Sequence, residues 1–138
     1  MKYNIDKNKP KKEPLYLGQI SEETRNNIKN LILDILVKEG KALQKGYTAS
    51  DLAREIGTNN RYLSGVFNED LDTSFSDFVN NIRIIEAKKK LKREKGKTVA
   101  EIGEECGFSN RQSLYANFYK VTGITPAEYR DANTKKGR

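Results

Sequence analysis

Two short polar segments, each following a glycine, carry side chains that are suited to hydrogen bonding with another molecule. The outward positions of the two helices predicted there hold Asn60, Arg61, Ser64, Arg111, Gln112, Ser113 and Tyr115. Arginine can bind guanine through two hydrogen bonds in the DNA major groove, and asparagine and glutamine can bind adenine in the same way. The chemistry that these residues favour is therefore recognition of base edges.

Few residues in the sequence are suited to catalysis, metal binding or disulfide formation. The sequence has no histidine and one cysteine, Cys106, so the usual zinc ligand, the usual general base and an internal disulfide are all missing. Glu104 and Glu105 are adjacent on a predicted helix and face different directions, so they cannot form one acidic site. We expect no catalytic residue, no metal and no cofactor, and we interpret Cys106 as a small buried thiol rather than a redox sensor.

The two polar segments belong to an internal repeat. Residues 48–67 can be aligned with residues 98–118, with one extra residue in the second turn. Before the turn, the matched positions differ by fifty, as in Leu52 and Ile102; after it they differ by fifty-one, as in Phe67 and Phe118. This repetition is difficult to ascribe to composition.

Each copy has the plan of a helix-turn-helix motif, predicted at about 48–69 and about 98–122. Thr48 with Asp51, and Thr98 with Glu101, are spaced as capping boxes that begin the first helix of each copy. A small residue, a glycine turn and a second helix with an inward-facing leucine and phenylalanine follow. Helix N-termini also bind phosphate, and the candidate phosphate contacts are Asn59, Thr98, Ser109 and Asn110.

Helical patterns account for the other ordered segments. A helix begins at Ser21 and ends near Gly40, a linker helix covers about 74–93, and a last short helix begins at Thr125. The linker helix is predicted to pack through an apolar stripe of Phe75, Phe78, Val79, Ile82 and Ile85. No segment alternates with a period of two, so we expect an all-α fold.

Basic segments flank the predicted domain, which covers residues 21–130. Residues 1–20 carry five lysines against two acids and are predicted to be a disordered tail or linker, and residues 131–138 form a second basic tail. The net charge of +7 therefore has two interpretations, a polyanionic partner or solvated tails. The sequence has neither an apolar stretch long enough to span a membrane nor a secretory signal, which favours a cytoplasmic protein.

A resemblance to a known family rests on motifs spread over about residues 20–130. The most specific are Leu52-Ala53 with Gly57, the segment NNIRIIEA at 80–87, and Ile102 through Arg130, which contains GF at 107–108 and ends in Thr125-Pro126 and Tyr129-Arg130. These motifs resemble the DNA-binding domain of AraC/XylS-type transcription activators. The segment YLSGVFNED resembles the subset found as C-terminal modules of larger regulators.

The resemblance implies seven helices, with two helix-turn-helix subdomains joined by the long linker helix. It also implies recognition helices placed in successive major grooves of double-stranded DNA. A helix over 74–93 is roughly 30 Å long, comparable with the roughly 34 Å between successive grooves, so one copy of the domain is expected to bind. At Gly65 and Ala116, where many relatives have long polar side chains, little base contact is expected, so Arg61, Arg111 and Gln112 carry more of the specificity. RNA polymerase is a further candidate partner, and an effector or sensor domain is not visible in the sequence.

Several alternatives stay open at this level. The chain is either a free-standing small regulator or part of a larger one. Tyr115 either contacts DNA or packs as an aromatic residue, and Arg111 contacts either a base or a phosphate. The competing function is a helical protein-interaction module that binds no DNA; RNA binding lacks an exposed aromatic surface for base stacking.

Overall fold

The computed structural model describes residues 20–136, and within them the regular structure is helical. Seven α-helices occur in this range: α1 (Glu22–Leu33), α2 (Ala49–Ile56), α3 (Asn60–Gly65), α4 (Phe75–Arg93), α5 (Val99–Glu105), α6 (Arg111–Thr122) and α7 (Pro126–Lys136). Short π-helical turns at Asp34–Lys38 and Val66–Asp70 extend α1 and α3, and a 3-10 turn covers Lys41–Leu43. The all-α, seven-helix prediction is confirmed.

The predicted N-caps form as local hydrogen bonds. Oγ1 of Thr48 accepts from the backbone N–H of Asp51 at 3.1 Å, and the Asp51 carboxylate accepts from the N–H of Thr48 at 2.9 Å. Thr98 and Glu101 form the same reciprocal pair at 3.0 and 2.8 Å. These bonds satisfy N–H groups that have no partner inside the helix, and they fix where α2 and α5 begin.

The described residues divide into two compact units, each containing one helix-turn-helix motif. The first comprises residues 20–35 and 48–75. Its buried apolar side chains are Ile28, Ile32, Ile35, Leu52, Ala53, Leu63, Val66 and Phe67. At its surface, Nε of Arg25 on α1 donates to Oδ2 of Asp70 at 3.0 Å, which ties α1 to the end of the π-helical turn.

The second unit comprises residues 36–47 and 76–136. Its core cluster consists of Ile84, Ala87, Leu91, Ile102, Cys106, Phe108, Leu114 and Phe118. The ring of Tyr129 on α7 packs edge-on against Phe118, with 5.6 Å between centroids. This contact brings the last helix onto the core of the second motif.

The predicted apolar stripe of the linker helix is wrong in its second half. Ile85 is 56% exposed, whereas Ile84, Ala87 and Leu91 are buried in the core cluster. The buried row spaced by three and four residues thus begins at Ile84 and continues to Leu91, while the row through Ile85 runs into basic residues.

α3 ends at Gly65 and continues as the π-helical turn to Asp70. One predicted end differs from the structure. α7 extends to Lys136, into the segment 131–138 that was predicted to be a tail. The predicted N-terminal tail, apart from Ile20, lies outside the described residues. No helix between residues 20 and 136 combines the length and apolar character needed to cross a bilayer.

Candidate nucleic-acid interface

The first helix-turn-helix motif consists of α2, the turn at residues 57–59 and α3. Gly57 adopts a left-handed conformation with φ of 88°, and its N–H donates to the carbonyl oxygen of Ala53 at 2.9 Å. Oδ1 of Asn59 then accepts from the N–H of Tyr62 at 2.8 Å and begins α3. Because Leu63 and Phe67 are buried, the opposite side of α3 faces solvent.

Three predicted contact residues lie on that exposed side of α3, namely Asn60, Arg61 and Ser64. Nδ2 of Asn60 donates to Oγ of Ser50 at 3.2 Å, which links the recognition helix to the first helix of the motif. Oγ of Ser64 accepts from the amide of Asn68 at 3.5 Å. The structure therefore brings the three predicted residues together on one surface.

The second motif consists of α5, the turn at residues 106–110 and α6. A Cβ atom added to Gly103 would lie 3.0 Å from Cδ2 of Leu114, so the small residue allows α5 and α6 to approach closely. Oδ1 of Asn110 accepts from the N–H of Ser113 at 2.8 Å and begins α6. Leu114 and Phe118 are fully buried, so the inward-facing pair predicted from the repeat is confirmed.

The predicted contact residues of α6 differ in exposure. Arg111 and Gln112 are exposed, whereas Ser113 and Tyr115 are partly buried. The carbonyl oxygen of Ser113 accepts from Nδ2 of Asn117 at 2.8 Å, which keeps this residue close to its own helix. Arg111 and Gln112 are therefore the better placed of the four to reach a groove.

The four candidate phosphate contacts are all exposed, but they are not equivalent. Thr98 forms a capping box with Glu101, so a carboxylate already lies at the N-terminus of α5. Asn59 and Asn110 cap α3 and α6 without an acidic side chain in the first turn, and Ser109 lies next to Asn110. Anion binding is thus favoured at Asn59, Ser109 and Asn110 over Thr98.

Among the seven α-helices of the described residues, α3 and α6 differ from the other five in the charge of their first turns. Five carry an acid in the first turn, and these acids are Glu22 and Glu23, Asp51, Asp77, Glu101 and Glu128. The first turns of α3 and α6 contain none. An acid there would compensate the positive end of the helix dipole. The two recognition helices are therefore the ones whose N-termini suit a polyanion.

One positioning residue was not predicted from the sequence. Nε of Arg83 on α4 donates to the carbonyl oxygen of Ala42 at 2.7 Å, and its guanidinium lies 5.8 Å from the ring centre of Phe108. Burial lowers the pKa of Arg83 from its usual value. In the sequence, Arg83 is one residue of the NNIRIIEA segment, and nothing in that segment indicates its carbonyl partner.

An ion-pair cluster lies between the end of α4 and α5. Nζ of Lys97 contacts Glu94 at 2.9 Å and Glu105 at 2.7 Å, and Nζ of Lys90 contacts the same two carboxylates at 3.3 and 3.1 Å. The hydrogen bond from Lys97, followed by that from Lys90, lowers the pKa of Glu105. Lys90 and Lys97 thus hold α5 against the linker helix.

Cys106 is fully buried in the core of the second unit, as its apolar sequence context indicated. Burial raises the pKa of its thiol to about 12. A thiol in this state is protonated at neutral pH and is a poor nucleophile. The interpretation of Cys106 as a small core residue is therefore confirmed.

The two capped motifs, each with a buried inner row and an exposed polar row, define a helix-turn-helix protein of the DNA-binding class. The sequence profile of the helix-turn-helix domain family matches residues 52–132, which is more than half of the chain. The chain belongs to this family, in its AraC/XylS type.

Regulators from Bacillus subtilis are among its relatives. The uncharacterized HTH-type transcriptional regulator YtdP is 26% identical over 148 residues, covering 93% of this chain and 19% of YtdP. The uncharacterized transcriptional regulatory protein YesN is 36% identical over 73 residues, covering 52% of this chain and 20% of YesN. The chain thus spans about a fifth of the length of these two curated relatives.

A solved structure shares the fold over most of its length. The C-terminal domain of the two-component response regulator yesN from Fusobacterium nucleatum superposes with a TM-score of 0.69 and 30% sequence identity. The match covers 75% of this chain and 98% of that domain. The fold is therefore shared with the C-terminal domain of a response regulator.

Proposed function

We propose that this chain binds double-stranded DNA in a sequence-specific manner and so regulates transcription, with α3 and α6 each inserted in a major groove. The observation that carries the proposal is the shared design of α3 and α6. Each is anchored by a buried leucine and phenylalanine, presents polar side chains outward, and begins at a capped N-terminus without an acid. A polyanion with hydrogen-bonding groups in a groove is the ligand that fits all three features.

Within this proposal, the exposed residues of α6 carry most of the base recognition. Arg111 binds guanine through O6 and N7, and Gln112 binds adenine through N6 and N7. Asn60, Arg61 and Ser64 of α3 contact the other half of the site. Ser113 and Tyr115 are partly buried and are secondary candidates for base contact. Because Gly65 has no side chain, the first motif makes fewer base contacts than the second.

Phosphate contacts come from the turns that precede the recognition helices. Oδ1 of Asn59 and of Asn110 is used by the caps, so the Nδ2 amide is the group of each that contacts phosphate. The hydroxyl of Ser109 and the N–H groups of the first turn of α6 add to this site. Thr98 is a weaker phosphate contact because the Glu101 carboxylate lies beside it.

The second part of the proposal concerns the stoichiometry, the cellular location and the partners of the domain. One copy of the domain binds two half-sites in successive major grooves, in the cytoplasm and without a cofactor. The domain acts as an activator that contacts RNA polymerase, and an effector or sensor domain controls it. Inserting five base pairs between the half-sites moves one of them to the opposite face of the duplex and should abolish simultaneous protection of both.

Selection of binding sites from random duplex DNA, followed by titration at several salt concentrations, tests the proposal. We expect one preferred sequence, with affinity that falls steeply as salt rises, because each neutralised phosphate contributes about −0.9 to the log–log slope. Removing residues 1–14, which carry the lysine-rich tail, is the control and should lower affinity without changing the preferred sequence. Absence of duplex binding at low salt would favour the protein-interaction module instead.

A further inference from the structure

Arg111 and Tyr115 form a cation–π pair on the exposed part of α6. Cζ of the Arg111 guanidinium lies 4.4 Å from the centre of the Tyr115 ring. Nη2 of the same guanidinium donates a hydrogen bond of 3.0 Å to the phenolic oxygen. The two residues are four positions apart, which places them on neighbouring turns of the helix. The ring and its hydroxyl thus hold the guanidinium at two points.

The two partners differ in exposure, and this difference sets their roles. Tyr115 is partly buried, whereas Arg111 is exposed. The partly buried ring has fewer orientations available to it than a solvated side chain, so it can act as the fixed member of the pair. Arginine otherwise loses considerable rotamer freedom when it is held in one geometry.

The pairing leaves the hydrogen-bonding capacity of Arg111 largely intact. A guanidinium has five N–H donors, and the bond to Tyr115 uses one of them. Recognition of guanine requires two donors, to O6 and N7, so enough remain. The contact with Tyr115 is thus compatible with a base contact by the same side chain.

The first motif does not repeat this arrangement. At the shift of fifty-one, Arg111 and Tyr115 align with Asn60 and Ser64; Arg61 lies one position after Asn60, and the residue four positions after it is Gly65. Since glycine has no side chain, no aromatic ring can support Arg61 from that position. The chain therefore contains a second first-turn arginine that has no tyrosine four positions after it.

We propose that Tyr115 is a positioning residue that preorganises the Arg111 guanidinium for guanine, and so sets base discrimination at the second half-site. This rests on the proposed function, since it assumes that α6 enters a major groove. Preorganisation raises discrimination because the ordering of Arg111 is then part of folding and no longer a cost of binding.

The test measures affinity for the selected duplex and for duplexes with a single guanine replaced. The variants are Arg111→Ala, Tyr115→Phe, Tyr115→Leu and the double variant Arg111→Ala/Tyr115→Leu, with Arg61→Ala, which removes the first-turn arginine of α3, as the control. Arg111→Ala identifies the guanine, because discrimination at one position should fall by about 5- to 150-fold. Tyr115→Leu should lower discrimination at that same position by about 3- to 10-fold, and Tyr115→Phe by less, because it retains the ring.

The double variant and the control separate positioning from other roles. In the Arg111→Ala background, Tyr115→Leu should change discrimination no further, and Arg61→Ala should affect a different position. An equal loss of affinity for all duplexes in Tyr115→Leu, with thermal unfolding unchanged, would overturn the inference and indicate a phosphate contact. Tighter binding by Tyr115→Leu would also overturn it, because the ring would then compete with DNA for Arg111.

Failure of the proposed function would have a different signature. A wild-type protein without preference for any duplex would contradict sequence-specific binding itself. A wild-type protein with a clear preference, whose guanine discrimination survives in Tyr115→Leu, would contradict only the positioning role of Tyr115.

Discussion

Arg83 on the linker helix donates from Nε to the backbone carbonyl oxygen of Ala42 at 2.7 Å, and this bond joins two segments that are 41 positions apart in sequence. Nη2 of Arg83 also donates to the carbonyl oxygen of Gln44 at 3.3 Å. The carbonyls of the 41–44 turn thus receive hydrogen bonds from a charged donor on the helix that carries the second motif.

Replacing Arg83 with methionine should destabilise the second unit by about 1–3 kcal/mol, because the Ala42 carbonyl loses a charge-assisted hydrogen bond. Methionine keeps much of the apolar stem, so lost packing contributes little. Arg93→Met on the exposed last turn of the same helix is the control, and it should change stability by less than about 0.5 kcal/mol. Urea unfolding measures both, and equal stability of the two variants would show that the Arg83 bonds are not stabilising.

Valine at Gly103 should destabilise the second motif by about 1–3 kcal/mol through overpacking. Even its Cβ would lie 3.0 Å from Cδ2 and 3.3 Å from Cβ of Leu114, and the two further methyl groups need additional space. Gly96→Ala is the control, since a Cβ at Gly96 would meet nothing within 4 Å. Thermal unfolding of the two variants gives the comparison; a Gly103→Val variant as stable as wild type would mean that α5 and α6 can separate without cost.

Glutamate at Gln112 should change folding stability and DNA affinity in opposite directions. An acid in the first turn of α6 compensates the helix dipole and should stabilise the protein by about 0.3–1 kcal/mol. The same charge repels phosphate and should weaken binding to all duplexes at low salt, with a smaller effect at high salt. Gln112→Met, which removes the amide without adding charge, should weaken binding only to the preferred sequence.

Thermal unfolding and fluorescence titration with labelled duplex would measure these two effects. The important result is the sign of each change in Gln112→Glu. Unchanged DNA affinity in that variant would show that the N-terminus of α6 does not face the phosphate backbone.

The cluster around Glu105 should make stability depend on pH in the acid range. Lys97 and Lys90 lower the pKa of Glu105 in the folded protein. The ionised Glu105 therefore stabilises the folded state at pH values above the carboxylate's ordinary pKa. That contribution is lost as pH falls through the lowered folded pKa. Glu105→Gln should therefore flatten the acid side of a plot of unfolding temperature against pH.

A second variant separates the ion pair from a general effect of charge. In the Lys97→Met background, where the main partner is missing, Glu105→Gln should have a smaller effect on the acid limb. An equal effect in both backgrounds would contradict the assignment of the pKa shift to Lys97.

Local rules predicted the helix boundaries well, and long-range packing explains where they failed. The capping boxes at Thr48 and Thr98 depend on residues three positions apart, so the sequence alone determines them. The face of the linker helix does not follow from local rules, because both the row through Ile85 and the row through Ile84 have helical spacing. Packing of α4 against residues distant in sequence selects the row at Ile84.

In the candidate site, too, local patterns were predictable from the sequence and long-range contacts were not. The repeat and its inward-facing residues predicted the exposed positions of α6 in part: Arg111 and Gln112 lie on the surface as expected, whereas Ser113 and Tyr115 are partly buried. The role of Arg83 could not be predicted, because its carbonyl partners at Ala42 and Gln44 are not indicated by any motif. The DNA contacts themselves stay predictions, to be tested by the variants described above.

The turn glycines of the two motifs differ in whether another residue could replace them. Gly57 and Gly107 both have positive φ, at 88° and 100°, but a Cβ at Gly57 would meet nothing within 4 Å. At Gly107 it would lie 2.6 Å from the carbonyl oxygen of Leu43 and 2.9 Å from Nε of Arg83. Asparagine tolerates the left-handed region, so position 57 can accept asparagine as well as glycine. At position 107 any Cβ would meet backbone atoms of Leu43, so the turn of the second motif requires glycine and the turn of the first does not.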